Sequence, residues 1–238
     1  MIKSKQGSID SIESLSTKDG PGRRVVIFFN GCKLRCKYCH NPEMWNKKEN
    51  NYSTDELVEK IKRFKPYIDG GITISGGEPL LQPEFLIELT TKLKQEGFHI
   101  ALDTAGVGAS QYEEILKNID LVIFDIKAIK EKDYKDLTRT SINESLKFLE
   151  TVKKLNKKLW IKQVIIPDVN DNKEYLLELK NFIKYIPNIE KIEFLPYHNL
   201  AIEKYNKLNI PYPYKDKLPM DKNKCNELYE WFIKKRND

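Results

Sequence analysis

Six short apolar runs that alternate with helix-period stretches constrain the fold of this 238-residue chain more than any other feature. The runs are rich in Val, Ile and Phe, and they have the length of buried strands. They are Arg24–Phe29, Gly71–Ser75, His99–Asp103, Leu121–Ile126, Leu159–Ile166 and Lys191–Pro196. Such alternation is typical of repeated βα units that build a parallel sheet. Because a closed barrel needs eight units, six predict an α/β fold with an open, partial (β/α)6 barrel that resembles a TIM barrel.

The stretches between the runs carry recognisable helix signals. Ser53 and Glu56 form a capping box that predicts a helix over 54–64. Pro83 opens the next helix and Gly97 closes it. Further helices are expected at Gln111–Lys117, Asn143–Leu155, Lys173–Tyr185 and Asp221–Lys235.

Composition excludes several classes of protein. No signal-peptide-like segment and no run of about 18 apolar residues occurs, which predicts a cytoplasmic protein without a membrane partner. The net charge of +6 comes from lysines dispersed among acidic residues, so no nucleic-acid partner is expected. The polar run Lys47–Tyr52 is too short to separate two cores, and residues 1–238 are therefore expected to form a single domain.

Three of the four cysteines, Cys32, Cys36 and Cys39, stand in a Cys-x3-Cys-x2-Cys pattern directly after the first apolar run. Such close spacing cannot staple distant parts of a chain, which argues against a disulfide framework and for a metal centre. An iron–sulfur cube held by three thiolates keeps one iron open for another ligand. Zinc is the alternative, but His40 directly follows Cys39 and is poorly spaced to complete a zinc site.

Polar or glycine-rich groups follow the other predicted strands. Beyond the cysteines these groups are Ser75–Glu78, Asp103–Thr104, Asp125–Lys127, Pro167–Asp168 and Pro196–His198. Since the carboxyl ends of parallel strands share one edge of the sheet, we expect all of these groups to face one mouth.

The order of these motifs resembles that of the radical S-adenosylmethionine (SAM) enzymes, and most closely that of the pyruvate formate-lyase activating enzymes. The matching segments are TKDGPGRR (17–24), GCKLRCKYCHNPEMW (31–45), ISGGEPLLQ (74–82), LDTAG (102–106), FDIK (124–127) and FLPYH (194–198). The resemblance implies a barrel of the radical SAM type and a 4Fe-4S cluster on Cys32, Cys36 and Cys39. These cysteines would be the catalytic centre of an oxidoreductase of anaerobic metabolism.

The resemblance also implies the reaction and its partners. The reduced cluster would cleave SAM, and the resulting 5'-deoxyadenosyl radical would take a hydrogen atom from a glycine of pyruvate formate-lyase. That enzyme would thereby gain its glycyl radical. The electron would come from a flavodoxin or ferredoxin, and the activase would be a monomer.

Ligand contacts follow from the matching motifs position by position. The resemblance places SAM against Tyr38, Cys39, His40, Gly76, Gly77, Glu78, Asp125, Ile126, Lys127 and His198. The two glycines would let the backbone approach the ligand, and the glutamate would accept from its ammonium group. Tyr38 would place an aromatic ring near the adenine.

A monovalent cation, sodium or potassium, is a further expectation of the resemblance. Asp103, Thr104 and Asp125 would bind it beside the SAM carboxylate, although strand-end aspartates can also be simple caps. Two positions depart from the family: Ala105 stands where asparagine is common, and Lys162 where arginine is common. Lysine keeps the charge but loses the planar fork of arginine.

Other functions stay open. The chain could activate a different glycyl radical enzyme, but the activases of several such enzymes carry extra cysteine clusters, and residues 46–70 contain no cysteine. A radical SAM enzyme for a small molecule and a non-catalytic metal-binding adaptor are the remaining alternatives.

Cys225 shares a helix face with Leu228 and Phe232 and is expected to pack as an apolar residue. Asp19 suits either a turn or a contact with the partner's glycine loop.

Overall fold

The computed structural model describes residues 4–48, 51–108 and 110–237. In these ranges eight strands form one sheet. The strands are β1 (Gln6–Ser16), β2 (Arg24–Phe29), β3 (Asn51–Ser53), β4 (Gly71–Gly76), β5 (Ile100–Thr104), β6 (Leu121–Asp125), β7 (Lys158–Ile165) and β8 (Ile189–Pro196). Their order across the sheet is β3-β1-β2-β4-β5-β6-β7-β8. Neighbours from β2 to β8 are parallel, and β1 pairs antiparallel with β2 and β3.

The described helices follow the strands along the chain. They are α1 (Thr54–Lys62), α2 (Pro83–Gln95), α3 (Tyr112–Lys117), α4 (Glu131–Thr138), α5 (Asn143–Lys154), α6 (Lys173–Ile183), α7 (Ile202–Lys207) and α8 (Lys222–Asn237). The predicted capping box is present, because Ser53 Oγ accepts from the Glu56 amide and the Glu56 carboxylate accepts from the Ser53 amide. No helix in the described part of the chain is long and apolar enough to cross a membrane.

The six predicted strands correspond to β2 and β4–β8, and the open parallel sheet confirms the predicted α/β partial barrel. The strands β1 and β3 and the helices α4 and α7 were not predicted. In β1 the pairing with β2 shifts register between Ile9 and Ser11 and again between Glu13 and Ser16. These irregularities break the alternation of apolar and polar residues that would mark a half-buried strand.

The two faces of the parallel strands carry different residues and contact different clusters, because successive side chains point to opposite faces. One face packs in the large apolar cluster that includes Ile27, Ile74 and Leu102. On the other face Ala101, Leu121 and Ile123 form a small apolar cluster beside Trp160. Asp103, Asp125 and Lys162 lie two positions after Ala101, Ile123 and Trp160 in their strands and therefore on the same face of the sheet. Ser75 of β4 lies on this face as well. A polar layer therefore lies above an apolar floor, nearer the carboxyl ends of the strands.

The loop before β2 is fixed by a fully buried arginine. Arg24 Nε donates to Thr73 Oγ1 over 2.7 Å, and its terminal nitrogens donate to the carbonyl groups of Pro21, Gly70 and Ile72. Asp19 belongs to the same arrangement, because its carbonyl accepts from Thr73 and its carboxylate accepts from the Ser16 hydroxyl, each over 2.6 Å. These bonds agree with the turn predicted for Asp19, at the amino ends of β2 and β4, and its contact with a partner stays a prediction.

Candidate active site

A cavity of about 430 Å³ lies at the carboxyl ends of the parallel strands. The predicted site residues in its wall are Cys32, Cys36, Tyr38, Cys39, His40, Gly76, Gly77, Asp103, Thr104, Asp125, Lys127 and His198. Two predicted SAM contacts, Glu78 and Ile126, are buried but do not line it. The structure therefore brings together at one mouth most of the groups that the sequence places after separate strands.

The loop that carries the cysteines is held by its own backbone. Gly31 donates its amide to the Met44 carbonyl over 2.8 Å, and Cys32 donates to the Trp45 carbonyl over 3.0 Å. The Cys39 amide closes a tight turn onto the Cys36 carbonyl at 3.0 Å. These bonds give the three thiols a fixed loop from which to project.

Helix α4 supplies a second support for this loop. The last carbonyl groups of a helix have no partner within the helix. Here the Thr138 carbonyl accepts from the Arg35 amide at 2.8 Å, and the Leu137 carbonyl accepts from the Lys37 amide at 2.9 Å. A helix that was not predicted from the sequence thus anchors the cysteine loop.

Burial governs the ionisation of the three thiols. It raises the pKa of Cys32 and of Cys36 to about 12, and it also raises the pKa of Cys39. The ammonium of Lys127 opposes this rise at all three cysteines. The thiols are therefore protonated in the metal-free chain, and binding of iron must release their protons.

The donor set of the cavity suits an iron–sulfur cluster. Three of the residues in its wall, Cys32, Cys36 and Cys39, supply thiolates, the soft ligands that such clusters require.

Three polar atoms of the cavity wall are buried without a hydrogen-bond partner among the described residues. They are the Tyr38 hydroxyl, Asp125 Oδ1 and His198 Nδ1. A buried polar atom without a partner is unfavourable by about 1–3 kcal/mol. Three such atoms in one wall mark a site for a polar ligand. A carboxylate oxygen, a phenol and an imidazole suit the ammonium group, ribose and adenine of SAM.

Lys127 sits at the centre of this wall. Its ammonium donates to Asp125 Oδ2 and lies 5.5 Å from the ring centroid of Tyr38. Burial by itself would lower the pKa of Lys127, but Asp125 and the neighbouring Tyr38 and Cys36 outweigh burial and hold that pKa well above its usual value. The lysine is therefore charged, and it favours the thiolate form of the three cysteines.

The two histidines of the wall form a stacked pair. The ring centroids of His40 and His198 are 3.8 Å apart and the planes are inclined by 28°. His40 Nε2 donates to the His198 carbonyl over 2.9 Å. Burial lowers the pKa of both imidazoles, so each is neutral near pH 7. The stack joins the loop after Cys39 to the end of β8.

The two glycines at the end of β4, Gly76 and Gly77, are required by the packing of the protein itself. Gly76 has φ +121°, and a Cβ there would lie 2.3 Å from the Phe29 amide nitrogen. A Cβ on Gly77 would lie 2.4 Å from the Gly31 carbonyl oxygen. Close packing against β2 and the start of the cysteine loop therefore explains both glycines, in addition to the predicted close approach of a ligand.

Glu78 is the residue whose position differs most from expectation. It is 1% exposed, and its Oε1 accepts from the Thr104 hydroxyl at 2.6 Å and from the Leu80 amide at 3.1 Å. Its Oε2 accepts from the Ala105 amide at 3.0 Å. Burial raises the pKa of Glu78 to about 7, and these hydrogen bonds oppose the rise. Both oxygens are engaged within the chain, so its contact with the SAM ammonium stays a prediction.

The residues of the predicted cation site have partners within the chain. Asp103 Oδ2 accepts from Ser75 at 3.1 Å and lies 3.4 Å from Lys162 Nζ. Asp125 pairs with Lys127, and the Thr104 hydroxyl donates to Glu78. Lysine ammonium groups thus already provide positive charge beside both aspartates. The cation stays a prediction.

Several wall residues were not singled out from the sequence. Ser75 and Tyr197 lie within strand-end motifs, and Trp45 closes the cysteine motif. Their position in or beside these motifs was the sequence signal that could have identified them as wall residues. Val164 and Leu195 also line the cavity, and apolar residues inside strands carry no signal that separates a wall from a core.

Comparison with known proteins gives consistent matches along the chain. Residues 26–180 match the Radical SAM superfamily. The chain is 50% identical to the pyruvate formate-lyase-activating enzyme of Clostridium pasteurianum, over 94% of this chain and 96% of that protein. It is 39% identical to the protein of that name from Staphylococcus epidermidis, over 95% of each.

Two solved structures share the fold. A domain of the pyruvate-formate lyase-activating enzyme from Bacteroides vulgatus aligns with TM-score 0.57 and 23% identity, over 71% of this chain and 95% of that domain. A radical SAM methyltransferase from Sphaerobacter thermophilus aligns with TM-score 0.65 and 17% identity, over 90% of this chain and 64% of that one. At such identities the likeness is one of fold alone.

Proposed function

The chain belongs to the radical SAM superfamily and to its pyruvate formate-lyase-activating enzymes, and from this premise we propose that it installs the glycyl radical of pyruvate formate-lyase. When bound, a 4Fe-4S cluster and SAM supply one electron and a 5'-deoxyadenosyl radical that takes a hydrogen atom from the partner's glycine. The observation that carries the proposal is the meeting of Cys32, Cys36 and Cys39 with the polar strand ends in one cavity.

Cys32, Cys36 and Cys39 would hold the cluster as thiolates. Burial raises the pKa values of these thiols, and the charged Lys127 opposes that rise, so the lysine would favour the thiolate form that a cluster requires. The backbone bonds to Trp45 and to the end of α4 hold the loop in place.

The wall beside the cysteines holds SAM. Asp125 Oδ1, the Tyr38 hydroxyl and His198 Nδ1 provide polar partners where the described chain leaves them unpaired. Glu78 acts behind the wall, since it fixes the ends of β4 and β5 through Thr104 and Ala105. The tightly packed glycines and the apolar residues of the mouth exclude water from the bound ligand.

The remaining assignments are part of the same proposal. A flavodoxin or ferredoxin supplies the electron, and the chain works in the cytoplasm as a monomer, with thiols kept reduced for iron. Residues 1–238 form one domain, and one apolar cluster that extends from Ile9 to Phe232 supports this.

Anaerobic turnover tests the proposal. The chain is reconstituted with iron and sulfide, reduced, and given SAM with or without pyruvate formate-lyase. We expect 5'-deoxyadenosine together with a glycyl radical doublet in the electron paramagnetic resonance (EPR) spectrum. The matched control is pyruvate formate-lyase whose radical-bearing glycine is replaced by alanine. Deoxyadenosine without a doublet on the unaltered partner would indicate another substrate, and absence of both would contradict the radical SAM assignment.

A further inference from the structure

Helix α7 lies against the segment that follows the last cysteine of the loop. Lys204 Nζ donates to Asn41 Oδ1 over 2.7 Å and to Glu43 Oε1 over 2.5 Å. One residue further on, the Tyr205 ring meets Trp45 edge to face, with centroids 5.9 Å apart and planes at 81°. Trp45 lines the cavity, so Tyr205 stands directly behind the wall beside Cys39.

The hydroxyl of Tyr205 is buried without a hydrogen-bond partner among the described residues, and its side chain is 0% exposed. Its backbone is satisfied, because its amide donates to Ala201 and its carbonyl accepts from Leu208 and Ile210. Cys39, and then Cys36, follow burial as the causes that raise the pKa of Tyr205. The Tyr205 hydroxyl therefore lies within electrostatic reach of these two thiols. Cys39 also raises the pKa of the neighbouring Tyr212, so reach alone does not distinguish the two tyrosines.

The neighbouring Tyr212, in contrast, has a hydroxyl with a hydrogen-bond partner. The Tyr212 ring lies 4.5 Å from that of Tyr205, and its hydroxyl pairs with the Tyr197 hydroxyl over 3.0 Å. Tyr205 and Tyr212 thus share one buried aromatic group and differ in whether the hydroxyl has a partner. A buried hydroxyl without a partner is rare in folded proteins and calls for an explanation, and a ligand that brings an acceptor is one such explanation.

We infer that the Tyr205 hydroxyl donates a hydrogen bond to a sulfur of the bound 4Fe-4S cluster on the Cys39 side, either the cysteine thiolate or a sulfide of the cube. This inference takes the proposed cluster as its premise. A donor to a cluster sulfur stabilises the reduced cluster, which carries one more negative charge. Tyr205 therefore makes the cluster easier to reduce.

The test is an EPR-monitored redox titration of the reconstituted wild type, Tyr205→Phe and Tyr212→Phe proteins, without SAM. At the wild-type midpoint we expect the ratio of reduced to oxidised cluster to fall at least threefold in Tyr205→Phe. In the matched control Tyr212→Phe that ratio stays within twofold of the wild type. An unchanged ratio in Tyr205→Phe at equal iron content would overturn the inference.

The melting temperature of the cluster-free proteins is the second readout. It is expected to stay equal or rise in Tyr205→Phe, because the unpaired hydroxyl is removed, and to fall in Tyr212→Phe. An equal fall in both variants would mean that Tyr205 has a partner within the chain, such as the buried Glu43 Oε2, and would contradict the inference.

Loss of the cluster to a chelator is a third readout. A folded Tyr205→Phe protein that loses its cluster at least threefold faster than the wild type would support the inference. Failure of the wild type to take up a cluster would instead contradict the proposed function.

Discussion

The hydroxyl of Thr104 donates to Oε1 of Glu78 over 2.6 Å, and both side chains are buried. This bond ties the end of β5 to the end of β4 behind the cavity wall. The two Glu78 oxygens also accept from the Leu80 and Ala105 amides. The glutamate of the SGGE motif therefore accepts from three donors within the chain, at Leu80, Thr104 and Ala105.

Glu78→Gln is expected to lower the free energy of unfolding of the cluster-free chain by about 1–3 kcal/mol, because the amide presents a donor where an acceptor is needed. Urea unfolding measures this change. The matched control is Glu84→Gln, which removes an exposed pairing with Lys5 and should change the free energy by less than about 0.5 kcal/mol. Unchanged unfolding of Glu78→Gln with weaker SAM binding would instead indicate a direct ligand contact.

Gly76→Ala is expected to destabilise the cluster-free chain by more than about 3 kcal/mol, since the new Cβ would overlap the Phe29 backbone at a φ of +121°. Gly97→Ala is the matched control. Gly97 also has a positive φ, +81°, but the nearest atom to its Cβ is Lys65 Nζ at 4.0 Å. That variant should lose only about 1–2 kcal/mol from backbone strain. Equal losses in chemical denaturation would show that crowding against β2 is unimportant.

The pH dependence of stability is expected to depend partly on His99. Arg24 Nη2 lies 3.2 Å from His99 Nδ1, and since arginine can only donate, that nitrogen is an unprotonated acceptor. Burial, then the charge of Arg24, lowers the pKa of His99 below 6.5. The unfolded chain therefore binds the proton first as the pH falls. Stability present above the unfolded pKa is lost as the pH drops through it towards the folded pKa.

The measurement is the free energy of unfolding of the cluster-free chain between about pH 7.5 and about pH 5. His99→Asn keeps an acceptor for Arg24 but does not titrate, so its stability should fall less steeply than that of the wild type. Three further groups titrate in both proteins and set the slope that remains. The lowered pKa values of His40 and His198 reduce stability as the pH falls, whereas the raised pKa of Glu78, about 7, acts in the opposite direction. Identical slopes would rule out a lowered pKa at His99.

Cys36→Ala is expected to abolish binding of the 4Fe-4S cluster, because only two thiolates of the loop remain. Cys225→Ala is the matched control, since Cys225 is also a buried free cysteine of the large apolar cluster but, unlike Cys36, does not line the cavity. Iron and sulfide content after anaerobic reconstitution distinguishes the two variants. Comparable iron content in Cys36→Ala and Cys225→Ala would contradict the assignment of the cluster to the cysteine loop.

The parallel part of the fold could be predicted from the sequence because buried strands and amphipathic helices each carry a strong periodic signal. Helix α4 was missed because only Tyr134, Leu137 and Thr138 of its eight residues are buried. Their spacing of three and four residues was a signal, but a weak one in so polar a segment. Helix α7 is only six residues long, with Tyr205 as its buried residue.

The site was predictable in its location but not in its detail. Strand-end motifs predict which residues meet at one edge of the sheet, and the cavity wall agrees with that prediction. A motif cannot tell which way a carboxylate turns, and Glu78 turns towards Thr104 and backbone amides. The distinction between a ligand contact and a structural acceptor depends on side-chain direction, which residue order does not specify.

Transfer of a hydrogen atom from the partner's glycine to 5'-deoxyadenosine can be measured directly by isotope labelling. Pyruvate formate-lyase is prepared with deuterated glycine and incubated anaerobically with the reduced, reconstituted chain and SAM. We expect deuterium to appear in 5'-deoxyadenosine in proportion to the glycyl radical measured by EPR. Unlabelled deoxyadenosine, formed at the same rate whether or not the partner is present, would contradict this expectation.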